Sequence, residues 1–298
     1  MRNNHRPEAD AQNRSGEITT RRARRGQRDM FGKLIIDSTD HAVIAGDFDP
    51  KDTLNLSKED IEAEYEQLQA RFAELQEALY ASKKYALLIV LQGMDCSGKD
   101  GTVKKALSGI NPNGFYVEAF KVPTPVELGH DYLWRVHQKA PQKGDIAVFN
   151  RSYYEDVLVT RVHGLIDDET ARRRFEEIRD FEKYLTSNQT VLLKFFLNIS
   201  KDFQKEKLLE RLEKPEKNWK FSESDLKERK FWDEYQKCYS DVLTHTSTHT
   251  APWHVVPANH RWFRDYFVLR TIVKALEKLP LSYPVLQGNV QELIREVE

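Results

Sequence analysis

The stretch that most constrains the fold is residues 87–102, Leu-Leu-Ile-Val-Leu-Gln-Gly-Met-Asp-Cys-Ser-Gly-Lys-Asp-Gly-Thr. An apolar run of strand length stops at a glycine-framed turn and enters a helix-compatible segment. From Gly93 to Lys99 the spacing is G-x-x-x-x-G-K, in which backbone N–H groups, a helix N-terminus and one lysine converge on a chain of phosphates. The plainer alternative is a glycine-rich turn joining a buried strand to a helix; the apolar run and the lysine together argue against it. Two positions depart from the usual pattern. Asp100 follows the lysine where Ser or Thr normally meets Mg²⁺, and a second carboxylate, Asp95, sits inside the loop. Acids beside phosphates repel them unless a cation or proton intervenes, so the loop implies a metal.

A strand that feeds such a loop belongs to an α/β fold, and the rest of the chain supplies its partners. Strands are expected at Phe115–Phe120, Ile146–Phe149, Thr190–Leu197 and Trp253–Val256. Ser57-Lys58-Glu59-Asp60 reads as a capping box that opens a helix with an apolar stripe at Ile61, Tyr65, Leu68, Phe72, Leu75 and Leu79. After the loop a helix should run to about Ile110. Thr124-Pro125-Val126-Glu127 should start another, reaching about Lys139. Further helical segments are expected near 154–163, 168–187, after Ser224, and over 261–279. Five strands alternating with helices imply a five-stranded parallel sheet covered on both faces.

The 298 residues carry 46 Lys and Arg against 47 Asp and Glu, which excludes the global basic field of a nucleic-acid binder. Residues 1–30 hold eight Arg and four acids, leaving about −5 on the remainder by difference. Residues 1–45 are expected to be a disordered, Arg-rich arm, and 46–298 one domain. Two cysteines, Cys96 and Cys238, support neither a disulfide framework nor a zinc site. With no 18-residue apolar run, a cytoplasmic protein without membrane partners is expected.

In parallel sheets ligands bind beyond the strand C-termini. That rule selects Asp95, Gly98, Lys99, Asp100 and Thr102 after the first strand and Lys121 after the second. Asn150, Arg151, Glu155 and Asp156 follow the third, and Asn259, His260 and Arg261 the last. Cations for phosphate and carboxylates for Mg²⁺ are what phosphoryl transfer requires. Asp95 could hold Mg²⁺, take a proton or orient an attacking phosphate oxygen; its alternative is a turn-forming Asp. Asp156 could be the second metal ligand, with Glu155 facing elsewhere if the segment is helical. Either could instead be a helix N-terminal charge. Lys104, Lys105, Lys121 and Arg135 would extend the phosphate path or be solvated surface groups. Residues 201–230 read as a basic helical lid, with Arg211, Lys214, Lys217 and Lys220 able to close over phosphates. Cys96 reads as a small filler, and His245 and His249 lack a third metal ligand.

Four separated strings resemble the polyphosphate kinase 2 family: Gly93 to Thr102, Phe149 to Asp156, Arg211 to Pro215 with Trp219-Lys220, and Ala251-Pro252-Trp253. The resemblance spans roughly 50–285. It implies a P-loop kinase-like three-layer αβα sandwich with a helical lid, assembled as homodimers or homotetramers. The implied reaction is Mg²⁺-dependent, reversible transfer of the terminal phosphoryl group of inorganic polyphosphate to a nucleotide. Carried over by motif, Asp95 would activate the acceptor phosphate and hold Mg²⁺, Lys99 and Arg151 would hold phosphates, Asp156 would serve the metal, and Arg211 would close from the lid. Gly93, Met94, Cys96, Ser97, Gly98, Asp100, Gly101 and Thr102 would form the phosphate- and nucleotide-binding loop, with Lys121, Asn150 and Glu155 beside it. Tyr154-Glu155-Asp156 resembles members acting on both AMP and ADP, and adenine nucleotides are expected, with guanine nucleotides as an alternative. Position 153 is Tyr where the family frequently has His. Two competing readings are an ATP-dependent nucleoside-monophosphate kinase and a nucleotide-binding regulatory module; an Asn-Lys-x-Asp guanine-reading motif is absent from the sequence.

Overall fold

The structure, a computed structural model, describes residues 30–38 and 40–298. The chain divides into two units, Met1–Ile35 and Ile36–Glu298. The first contains a 3₁₀ turn at Gly32–Leu34, and strand β1 (Ile35–Ile36) falls at the boundary. The expected arm over 1–45 lies outside the described residues at 1–29 and 39. Further along, the N–H groups of Val43 and Ala45 donate to Thr244 Oγ1 (2.8 Å) and Ser240 Oγ (3.0 Å).

Helix α1 (Lys58–Ser82) starts at the expected capping box. The Asp60 N–H donates to Ser57 Oγ (3.2 Å) and the Ser57 N–H to Asp60 Oδ2 (2.8 Å). Strand β2 (Ala86–Gln92) is buried along its whole length and enters helix α2 (Lys99–Ala106), shorter than expected. Strand β3 (Phe115–Glu118) follows. The single helix expected to about Lys139 is corrected to two short ones, α3 (Pro125–Leu128) and α4 (Trp134–His137). Asp131 Oδ1 accepts from the Leu133 N–H (3.0 Å), a local turn that competes with the helical bonds between them.

After strand β4 (Ile146–Asn150) come a 3₁₀ turn, Tyr153–Val157, and a one-turn helix α5 (Val159–Val162). Helix α6 (Asp168–Ser187) and strand β5 (Thr190–Asn198) match expectation. Helices α7 (Lys201–Glu213) and α8 (Glu223–Lys230) flank a 3₁₀ turn, Pro215–Lys220. Helix α9 (Trp232–Thr246), strand β6 (Trp253–Pro257), helix α10 (Arg261–Leu276) and a C-terminal helix α11 (Val290–Val297) complete the chain.

The sheet order is β1-β6-β5-β2-β4-β3, with β2–β4, β2–β5, β3–β4 and β5–β6 parallel. The five expected strands are present; the sixth, β1, has only two residues, too few to carry a periodic signal. Strand β2 is central. The chain leaves it toward β3 and β4, then returns to β5 and β6 on its other side, so the end of β2 is the point where a ligand crevice opens. Side chains alternate between faces. From β5, Lys194 reaches Glu182 on α6 and Phe196 stacks on Tyr239 of α9, whereas Phe195 meets His254, which contacts Phe267 on α10. Helices therefore cover both faces.

Candidate active site

The loop after β2 is shaped by close approaches that exclude side chains. At Gly93 (φ +151°) a Cβ would stand 2.8 Å from the Leu197 carbonyl oxygen, and at Gly98 (φ +96°) it would strike the buried Arg264 guanidinium. Lys99 is buried beneath the loop and its Nζ donates to the carbonyls of Gly93 (2.6 Å) and Met94 (3.3 Å). Burial pushes its ammonium pKa down while Asp95 opposes that shift. Asp95 Oδ1 accepts from Arg151 Nη2 at 2.7 Å, and Asp100 Oδ1 from Asn150 Nδ2 at 2.6 Å. Both loop carboxylates are thus tied to the turn after β4. Burial raises the Cys96 thiol to about 11, which suits a filler rather than a nucleophile.

Arg151 (φ +64°) and Cys96 (φ +70°) both hold left-handed backbone conformations unfavourable to side-chain-bearing residues. Burial alone would lower the Arg151 pKa; Glu155 and Asp95 outweigh it, and the net shift is upward. The Tyr153–Val157 turn separates the two acids that follow. Glu155 interacts with Arg151, Lys99 and Asp95, although burial raises its pKa. Oriented to satisfy its neighbours, the Gln92 amide donates to Glu155 Oε1 (3.0 Å) and accepts from Ser152. Asp156 faces away. It lines a second cavity of about 500 Å³ with Tyr132, Arg135 and Arg174, its Oδ2 3.9 Å from Arg135 Nη2. The expectation that Asp156 joins Asp95 at one metal centre is therefore corrected. Consecutive residues of a 3₁₀ turn point about 120° apart, and it is Glu155 that turns toward the loop.

Beneath this turn lies a buried polar network. Tyr153 and Tyr154 hydroxyls both donate to Glu182 Oε1 (2.8 and 2.7 Å), and Lys194 Nζ donates to Glu182 Oε2 (2.7 Å) and the Thr246 carbonyl (2.7 Å). The turn carrying Arg151 is anchored to β5, α6 and α9 together.

The opposite wall is formed by the segment expected to act as a lid. Arg211 Nη1 donates to Asp225 Oδ2 (2.7 Å) and to the Lys220 carbonyl (3.0 Å). Asn218 Nδ2 donates back to the carbonyls of Arg211 (2.7 Å) and Leu212 (3.1 Å), folding the Pro215–Lys220 turn onto α7. Loop and lid enclose a cleft of about 700 Å³. Its walls bring together Asp95, Cys96, Gly98, Lys99, Asp100 and Gly101 with Lys104, Lys105, Lys121, Asn150, Arg151, Arg211, Lys217 and Lys220. The structure does not bring Lys214 or Arg135 to that wall. Arg135 is buried, donates to the Lys121 carbonyl (2.8 Å) and lines the second cavity, so its place on the phosphate path is corrected. Met94, Ser97 and Thr102 are buried within the loop; Thr102 Oγ1 donates to the Gly98 carbonyl (3.2 Å).

Four charged cleft residues escaped the sequence reading: Lys207 and Glu210 on α7, and Arg264 and Asp265 on α10. Arg264 Nη2 and Nε donate to Asp265 Oδ1 (2.7 and 2.9 Å), and Nη1 reaches the Ser97 carbonyl at 3.4 Å. Helical spacing was the available signal: Lys207 and Glu210 share a face with Arg211 and Lys214, and Arg264 lies one turn past Arg261.

Among the described residues no group of three His, Cys, Asp or Glu side chains forms a metal cage. The cleft instead offers hard oxygen donors one at a time, Asp95 and Asp100, beside a phosphate cradle. This suits a divalent cation that takes most of its ligands from phosphate and water.

A family model described as polyphosphate kinase 2 matches residues 55–282. The chain belongs to the polyphosphate kinase 2 family. It is 48% identical over 229 residues to the AMP/ADP-polyphosphate phosphotransferase of Meiothermus ruber, covering 77% of this chain and 86% of that protein. It is 44% identical over 226 residues to the ADP-polyphosphate phosphotransferase of Rhodopseudomonas palustris, covering 72% and 78%. The crystal structure of polyphosphate kinase 2 from Arthrobacter aurescens TC1 superposes with a TM-score of 0.82 at 40% identity, covering 88% of this chain and 97% of that one. Membership makes this chain a phosphotransferase.

Proposed function

We propose that this polyphosphate kinase transfers the terminal phosphoryl group of inorganic polyphosphate to AMP and ADP, reversibly and with Mg²⁺, on a P-loop kinase-like three-layer core. The supporting observation is that one cleft joins a phosphate loop containing Asp95 to a lid bearing Arg211, Lys217 and Lys220. The names of the Meiothermus and Rhodopseudomonas relatives support AMP and ADP as acceptors.

In this reading the loop N–H groups and Lys99 hold phosphate oxygens, and Arg151 neutralises charge that develops during transfer. Asp95, fixed by Arg151, orients the attacking acceptor phosphate and takes part in holding Mg²⁺. When bound, the metal supplies charge neutralisation between donor and acceptor phosphates. Glu155, behind the loop, keeps Lys99 and Arg151 in register. The lid, residues 201–230, excludes water so that transfer outruns hydrolysis.

The test is product formation with polyphosphate as sole phosphoryl donor, Mg²⁺, and either AMP or ADP. ATP from ADP and ADP from AMP are expected. Product only when ATP is supplied to AMP would make the chain a nucleoside-monophosphate kinase instead. We also infer a cytoplasmic homodimer or homotetramer, which light scattering would contradict by finding a monomer. Among the described residues no helix is long and apolar enough to cross a membrane.

A further inference from the structure

The lid places one carboxylate on the cleft wall, and the transfer reaction assigns it nothing. Glu210 lies on the cleft wall with its side chain 22% exposed. Lys207, one turn earlier on α7, donates to Oε2 at 3.1 Å; Lys214, one turn later, donates to Oε1 at 3.3 Å. Lys217 also donates to Oε1. It reaches back because the Asn218 bonds fold its turn against α7, so the cluster is tertiary and not merely helical spacing. Arg261 Nη2 stands 3.9 Å from Oε2. Hydrogen bonds from Lys217 and Lys207, the largest causes, hold the carboxyl pKa down at about 2, so Glu210 is charged at any working pH.

Lys207, Lys217 and Arg261 line the same cleft as Lys99 and Arg211. A lysine ammonium is a compact charge on a flexible stem with three donors, so it can pass from one oxygen to another at small cost. Phosphate oxygens entering along this wall would meet cations already shared with a carboxylate, and would be repelled by that carboxylate.

We propose that Glu210 is an internal competitor for the donor: it gathers Lys207 and Lys217 on the cleft wall, with Lys214 just outside it, and holds polyphosphate affinity below what those lysines alone would give. Donor binding is then an exchange of anions, which favours release of the shortened chain. This inference rests on inorganic polyphosphate being the donor.

Glu210→Gln tests it, because the amide keeps an acceptor oxygen for the lysines and removes the charge. Inorganic tripolyphosphate is titrated calorimetrically without nucleotide, and KM is measured for long-chain polyphosphate and for ADP. The dissociation constant and the polyphosphate KM should fall about 3- to 10-fold, the scale of a few partly exposed charge pairs. The KM for ADP should stay fixed, which a general loss of lid structure would not allow. Glu213→Gln makes the same charge change one turn-face away on α7 and should move neither. The gain should shrink when Lys217→Met is added. Unchanged or weaker polyphosphate binding in Glu210→Gln, an equal gain in Glu213→Gln, or a full gain in the Lys217→Met background would each overturn the proposal. A wild-type protein that neither binds nor uses polyphosphate would overturn the proposed function itself, so the two failures are distinguishable.

Discussion

Two lysine–glutamate clusters face each other across this molecule's organisation, and burial makes them opposites. Lys194 and Glu182 are fully enclosed, 2.7 Å apart, and surrounded by Tyr153, Tyr154 and Thr246, which take up their remaining bonds. Lys207, Lys214 and Lys217 meet Glu210 at the edge of the cleft, where water and phosphate can reach them. In a dry interior a broken charge pair strands an ion, so the first cluster has one arrangement. At a wet surface the same pair is weak and its partners are exchangeable, so the second can yield to a ligand. The first holds the Arg151 turn in place, and the second handles what enters.

The largest expected effect comes from breaking the buried cluster on one side. Glu182→Ala should destabilise the protein by about 3–5 kcal/mol in denaturant unfolding, because Lys194 is left unpaired. Replacing both partners, Glu182→Leu with Lys194→Met, should recover much of that loss while leaving kcat low, since the tyrosines no longer pin the turn bearing Arg151. Full activity in the double variant would show that the network is structural filler only.

Acid should act on the buried side next. His254 packs beside Lys194, its Nδ1 3.0 Å from the Lys194 carbonyl, and burial pushes its pKa from 6.5 down to about 4. It is neutral in the folded protein where the unfolded chain already takes up a proton. The stabilisation is complete above about pH 6.5 and is lost as pH falls toward 4, on the order of 3 kcal/mol in all. Unfolding free energies for wild type and His254→Phe across that window check this; equal slopes would contradict it. The smallest effect on stability belongs to the surface cluster. Glu210→Gln should cost less than about 1 kcal/mol in the same assay, its consequence appearing in donor affinity instead. A loss as large as that of Glu182→Ala would erase the distinction between the two clusters.

The contrast also explains what the sequence could disclose. The strand, loop and helix from Ala86 to Ala106 were legible because glycine spacing and a seven-residue apolar strand are local signals. Lys194 was not, because a lysine within an apolar strand takes its meaning from Glu182, Tyr154 and Thr246, all distant in the chain or on other elements. The orientation of Glu155 and Asp156 depended on a 3₁₀ turn where a helix was expected, and one residue of phase turns Glu155 rather than Asp156 toward the loop. The break between α3 and α4 rests on local turn bonds such as that of Asp131, and α11 lies beyond Pro280, past the last helix that periodicity signals. Lid cations were visible as a charge run, but the carboxylate gathering them was not, because Lys217 returns to Glu210 only through the folded Asn218 turn.

The central claim is that Asp95, held at 2.7 Å from Arg151 inside a phosphate loop, serves transfer from one phosphate to another. Initial rates of ATP formation from ADP, with Mg²⁺ and saturating polyphosphate as sole donor, test it in wild type and Asp95→Asn. The wild type should turn over, and a folded Asp95→Asn should lose about 10²–10³ in rate, the scale of one electrostatic group at a reacting centre. Wild-type rates in Asp95→Asn would contradict the account.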